Sequence, residues 1–139
     1  MTRIEPEEES FDPAQWSEED AERHLREGVR LFNAGEYRAA HEEFERIWLS
    51  GAGDADFFKG LIQAAIAMHH FEQGNFAGAA KLYGGHRRYL AGFLPRHRGI
   101  DVAAFMESVR RTLEPVVRRS ADRQPALEPN ARPRIVLDP

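Results

Sequence analysis

Residues 57–71, FFKGLIQAAIAMHHF, are apolar on nearly every side. A helix with that pattern has no face to give to water, so other elements must surround it. It is also too short, and too interrupted by Lys59, Gln63, His69 and His70, to span a bilayer, which takes roughly 18 or more apolar residues. The rest of the chain must therefore supply a shell of amphipathic helices.

Four such helices are predicted. Ser17, followed by Glu18, Glu19 and Asp20, is a helix start: a capping hydroxyl, then acids near the positive end of the dipole. Leu25, Val29 and Phe32 recur at helical spacing until Asn33, Ala34 and Gly35 stop the first helix. A second helix runs from about 36 to 49, with Tyr37, Ala40, His41, Phe44, Ile47 and Trp48 as its inward stripe. Asp54 or Asp56 caps the central helix, and Gly74 ends it. Asn75 caps a fourth helix carrying Phe76, Ala80, Tyr83, Leu90 and Phe93. Gly84 and Gly85 weaken its middle by about 1 kcal/mol each relative to alanine, which suits a kink or a close helix crossing. Pro95 closes it. Asp101 caps a fifth helix with Val102, Phe105, Met106, Val109 and Leu113 on one stripe, which Pro115 should end or bend near Glu114. No convincing strand pairing is available elsewhere, so the class is all-α, a compact bundle of about five helices.

A length of 139 residues predicts one domain. Its expected limits are 16–120, with an acidic, aperiodic arm at 1–15 and an extended tail at 121–139 containing Pro125, Pro129, Pro133 and Pro139. Within that tail RIVL, residues 134–137, is apolar enough to dock on the bundle as an extended strip. The stretch LFNAGEYRAAHEEF at 31–44 has an echo, HFEQGNFAGAAKLY, at 70–83, offset by 39 residues. In each, an aromatic residue precedes a glycine by three positions and another aromatic follows two further on. That predicts two helical hairpins like tetratricopeptide units, whose usual period is about 34. Two imperfect copies favour a bundle with a repeat-like core over a solenoid.

The chain has no cysteine, which excludes disulfides, thiolate metal sites and a cysteine nucleophile. Its opening residues lack the apolar run of a signal peptide, so the expected location is the cytoplasm and no membrane partner is expected. The net charge of −4 conceals an asymmetry: residues 1–60 carry −9, whereas residues 86–119 carry +5 from eight arginines and three acids. Arg87, Arg88, Arg96, Arg98, Arg110 and Arg111 are thus candidates for an anion or nucleic-acid surface. Mutual attraction between acidic and basic helices explains the asymmetry equally well, and no aromatics are interleaved as in a nucleic-acid module, so nucleic acid is not the favoured partner. No serine lies in a nucleophile-elbow context, and no glycine-rich phosphate loop occurs.

The polar residues that demand explanation stand in AAHEEFERIW, residues 39–48. His41 and Glu45 share a helix face, at the spacing of the two histidines in the His-Glu-x-x-His zinc motif, with Glu42 where the catalytic base would stand. On the central helix Gln63 and His70, seven residues apart, share a face as well. If the second and third helices pack antiparallel, His41, Glu42, Glu45, Gln63 and His70 line one pocket, with Trp48 beside it. Such a set can satisfy itself as a buried network, line a ligand pocket, or hold a divalent metal through His41, Glu45 and His70.

The words LFNAGEYRAAHEEFERIW and FFKGLIQAAIAMHHFEQGNFAGAAKL resemble the bacterial and archaeal family known as domain of unknown function number 309. The matching positions are Phe32, Asn33, Gly35, Tyr37, Ala40, His41, Glu42, Glu45 and Trp48, then Gly60, Leu61, Ile62, Gln63, His70, Gly74, Asn75, Gly78 and Ala79. The resemblance covers roughly 25–95 and implies a small all-helical protein without an established activity. The leading expectation is a binding or interaction module that receives a peptide, a protein or a second copy in a groove of its hairpins. The alternatives are a metal-dependent hydrolase with Glu42 as general base, and anion binding through the arginines.

Overall fold

In a computed structural model, which describes residues 16–51, 53–118 and 132–139, five α-helices follow one another. They are α1 Glu18–Asn33, α2 Tyr37–Leu49, α3 Ala55–Glu72, α4 Phe76–Leu90 and α5 Val102–Arg118. The expected arm at 1–15 and the tail prolines Pro125 and Pro129 lie outside the described residues.

Three predicted starts carry their caps. The Ser17 hydroxyl accepts from Asp20 N–H at 3.1 Å while Asp20 Oδ2 accepts from Ser17 N–H at 2.9 Å, a complete capping box. Asn75 Oδ1 accepts from Gly78 N–H at 3.0 Å, and Asp101 Oδ1 from Ala104 N–H at 2.9 Å. Asp54 stands at the start of α3, but its side chain makes no cap bond.

The apolar helix α3 is the centre of the bundle. It packs on α2 and α4; α1 packs on α2, and α5 on α4. Phe57, Phe58, Leu61, Ala64, Ala65 and Met68 are fully buried, each large side chain contributing about 1.5–3 kcal/mol by burial. The α3–α4 crossing is close because glycine lies on both sides. A Cβ added at Gly60 would stand 2.5 Å from the Leu90 side chain, and one at Gly85 would collide with the Gln63 carboxamide. Gly84, by contrast, faces open space.

The sequence echo is realised as one turn used twice. After α1, Gly35 N–H donates to Phe32 O (3.0 Å) and Glu36 N–H to Leu31 O (2.9 Å). After α3, Gly74 N–H donates to Phe71 O (3.0 Å) and Asn75 N–H to His70 O (2.8 Å). Both are Schellman closures, and both need the left-handed backbone that glycine adopts freely, with φ of 82° at Gly35 and 78° at Gly74.

Three features depart from expectation. α5 does not stop at Glu114 but runs through Pro115 to Arg118. Pro115 falls in the last turn on the exposed side beside Arg111, so the carbonyl deprived of its N–H partner meets solvent and the cost is low. A short antiparallel hairpin joins α4 to α5 after a 3₁₀ turn at Ala91–Phe93: β1 Arg96–His97 pairs with β2 Ile100–Asp101. Its two-residue connection has φ of 51° at Arg98 and 77° at Gly99, the twist that a tight hairpin needs. Finally, α2 buries Tyr37, Ala40, Phe44 and Ile47, whereas His41 and Trp48 sit at the edge of the stripe, only half-buried.

Candidate functional site

The polar residues singled out in the sequence divide among different neighbours. His41 Nε2 lies 3.7 Å from Glu45 Oε2, a partly exposed pair along α2, and Glu42 is exposed. Trp48 carries the Lys59 ammonium over its ring, 4.6 Å from the centroid. Gln63 is drawn toward α4, where it packs on Gly85. His70 belongs to the second Schellman turn: its Nδ1 lies 3.2 Å from Asn75 Nδ2, which donates to it when that ring nitrogen is unprotonated. Among the described residues no group of three or more His, Asp or Glu side chains is placed to hold a metal ion. His41, Glu45 and His70, the candidate ligands, are therefore not brought together as a set. The physical reason is local: the turn engages His70, and the edge position of His41 leaves it beside its own Glu45.

The histidine that the core does enclose is His86, which the sequence reading passed over. It is fully buried on α4; its Nδ1–H donates to Gly60 O at 3.1 Å, and Phe105 meets the ring edge-on at 5.3 Å between centroids. Burial pushes its pKa down from 6.5 to about 4, so the ring is neutral at pH 7. The signal was present in the spacing of Ala79, Tyr83, His86 and Leu90, which share one helix face.

Most of the candidate arginines already hold carboxylates. Arg110 is bound to Glu107 and Glu114, and Arg111 to Glu107. Hydrogen bonding from Arg110 holds the Glu107 carboxyl down at about 2. Arg96 pairs with Asp138 at 2.6 Å, and Arg98 with Asp54 at 2.6 Å. Arg87 and Arg88 lie over the rings of Tyr83 and Tyr89. An arginine engaged with a carboxylate presents little net charge to an incoming anion.

Asp54 ties the hairpin to the start of α3. His97 Nε2 lies 2.7 Å from Asp54 Oδ2, and Arg98 donates to both carboxylate oxygens, at 2.6 and 3.2 Å. Burial raises the Asp54 carboxyl, but hydrogen bonds from Arg98 and then His97 outweigh it and hold it below the usual range. This is why Asp54 does not cap its helix.

The hairpin so anchored packs against residues 132–139 of the same chain. Residues 132–139 run extended, antiparallel to both α1 and α5, and bridge them. Asn33 reads the main chain at Ile135 in both directions: its Nδ2 donates to Ile135 O at 2.9 Å and its Oδ1 accepts from Ile135 N–H at 2.8 Å. Ser108 Oγ accepts from Arg134 N–H at 3.2 Å, while its own proton goes to Phe105 O at 2.8 Å within α5, leaving only a long 3.3 Å contact to Arg134 O. The hairpin adds Asp101 N–H to Val136 O (3.1 Å) and accepts Asp138 N–H on Gly99 O (2.8 Å), with Ile100 bridging to Leu137. Side chains alternate as in any strand. Pro133 and Ile135 are buried and Leu137 half-buried, while Arg132, Arg134, Val136 and Asp138 face outward.

Residues 25–82 match the family described as domain of unknown function, DUF309, in agreement with the resemblance carried by the sequence words above. The match includes Asn33 and both Schellman turns and leaves out Ser108, the hairpin and residues 132–139. A relative named as an uncharacterized protein of Aquifex aeolicus (strain VF5) is 32% identical over 95 residues, covering 65% of this chain and 28% of the relative. The chain thus spans less than a third of that relative's length.

Proposed function

We propose that this chain, a DUF309 protein through residues 25–82, is a peptide-binding module. Its groove between α1, α5 and the hairpin takes extended segments, and residues 132–139 are its intramolecular ligand. The observation that carries this reading is the mode of attachment. Asn33 satisfies both main-chain groups of Ile135, Ser108 accepts from the N–H of Arg134, and the hairpin edge supplies two more main-chain bonds. Such contacts recognise an extended backbone whatever chain it belongs to, which is the logic of strand addition. Side-chain selection then comes from the places that Pro133, Ile135 and Leu137 fill.

The test uses the full chain with a specific protease site inserted within 119–131. After cleavage, a fluorescent peptide of sequence RPRIVLDP should bind saturably, and the uncut chain should bind it at least about tenfold more weakly because its own tail competes. Asn33→Ala should weaken binding to the cut protein at least about tenfold, since two hydrogen bonds at about 1 kcal/mol each are lost. A cut protein that keeps its thermal stability yet shows no saturable binding refutes the reading.

A further inference from the structure

The main-chain bonds do not say which segments the groove prefers, but the two ends of the strip do. At its first position Arg132 Nη1 lies 3.4 Å from Glu72 Oε2, on the last residue of α3. At its seventh position Asp138 Oδ1 lies 2.6 Å from Arg96 Nη2 on β1, and Arg26 of α1 donates to the Asp138 carbonyl at 3.1 Å. Six residue steps of extended chain separate the two ends, roughly 20 Å. One end of the groove therefore presents an acid and the other a base, each on a different element of the bundle. The outward positions between them behave differently: Val136 is 56% exposed, and Arg134 is held through its backbone.

We propose that the groove selects protein segments of defined polarity: a basic residue at the first position, aliphatic residues at the fourth and sixth, and an acidic residue at the seventh. The occupant in trans is a segment of this composition in another protein, entering in place of residues 132–139. The charges set direction as well as composition. An extended chain can be laid into a row of backbone bonds either way round, but the reversed orientation puts base on base and acid on acid.

This inference rests on the peptide-binding reading, and its experiment separates the two. Cut full-length protein is titrated with RPRIVLDP and with the same peptide carrying Arg132→Glu and Asp138→Arg. The expected result is at least about tenfold weaker binding of the reversed peptide. The protein variant Glu72→Arg with Arg96→Glu should exchange the preference, binding the reversed peptide better than the native one. Circular dichroism confirms that the variant is folded, and the single variant Glu72→Arg gives the same direction with a smaller change should the pair fail to fold. Equal binding of both peptides overturns the polarity and leaves the groove; binding of neither overturns the groove itself. Light scattering on the uncut chain tests the other occupant. A dimer that dissociates in excess RPRIVLDP would put a second copy's tail in the groove and overturn the assignment to a different protein.

Discussion

The turn after α1 and the turn after α3 close with the same hydrogen bonds and the same left-handed glycine, yet they do different things. The first lies under the tail: Arg132 packs against Gly35, and the residue before the turn, Asn33, holds Ile135. The second is bare at Gly74, where a Cβ would meet nothing within 4 Å, and it looks after itself through Asn75, which caps α4 and bonds His70. Asn33 and Glu72 occupy the equivalent position 39 residues apart. One contacts the strip by its backbone, the other by the charge of Arg132. The lesson is that glycine and the flanking aromatics determine the shape of the turn, while the last helical residue determines its use.

The comparison breaks most strongly at a buried position. Ile47 and His86 are equivalent and both fully buried, but only the second hairpin carries a titratable group there. The folded imidazole stays neutral down to about pH 4, whereas the unfolded chain protonates near 6.5. Below pH 6.5 the unfolded state binds a proton that the folded state does not. Stability should therefore fall as pH drops from 6.5 to 4, by up to about 3 kcal/mol. His86→Gln should flatten that part of the profile in urea denaturation run at successive pH values; an unchanged slope would remove His86 as its source.

The glycines come next. Gly74→Ala should cost about 1–2 kcal/mol for the left-handed backbone alone. Gly35→Ala should cost the same and also displace Arg132, so amide exchange in 132–139 should accelerate in that variant and not in the other. Matching exchange profiles would show that the tail is indifferent to the first turn. Asn75→Ala should cost about 1 kcal/mol for a lost cap. Glu36→Ala, at the equivalent position without a side-chain cap, should change the thermal midpoint hardly at all.

Much of this architecture was legible because helices advertise themselves. The all-round apolar stretch at 57–71, the caps at Ser17, Asn75 and Asp101, and the paired glycines are local signals, each with its own physical cause. The hairpin was not legible, since strands of two residues are too short to show alternation and its twist rests on Arg98, a residue with no reputation for positive φ. The site suffered for a related reason. Helical periodicity assigns a residue to a face with an uncertainty of about one position, which is enough to turn His41 inward when it sits at the edge of the α2 stripe, whereas His86 stood on the Ala79, Tyr83 and Leu90 stripe of α4 and was passed over. Asn33 looked like a helix stop, and nothing local connects it to Ile135, 102 residues away. Asp54 was recognised as a cap by type, but only the fold brings it to His97 and Arg98.

Residues 132–139 are joined to α5 by a connection of thirteen residues. Tethering of that kind gives a ligand an effective concentration in the millimolar range. A free segment making only the same contacts would have to reach comparable levels before it displaced the strip. On the proposed peptide-binding reading, the covalent linkage therefore sets a threshold: a competing segment would have to be abundant, or better matched than residues 132–139, to displace them.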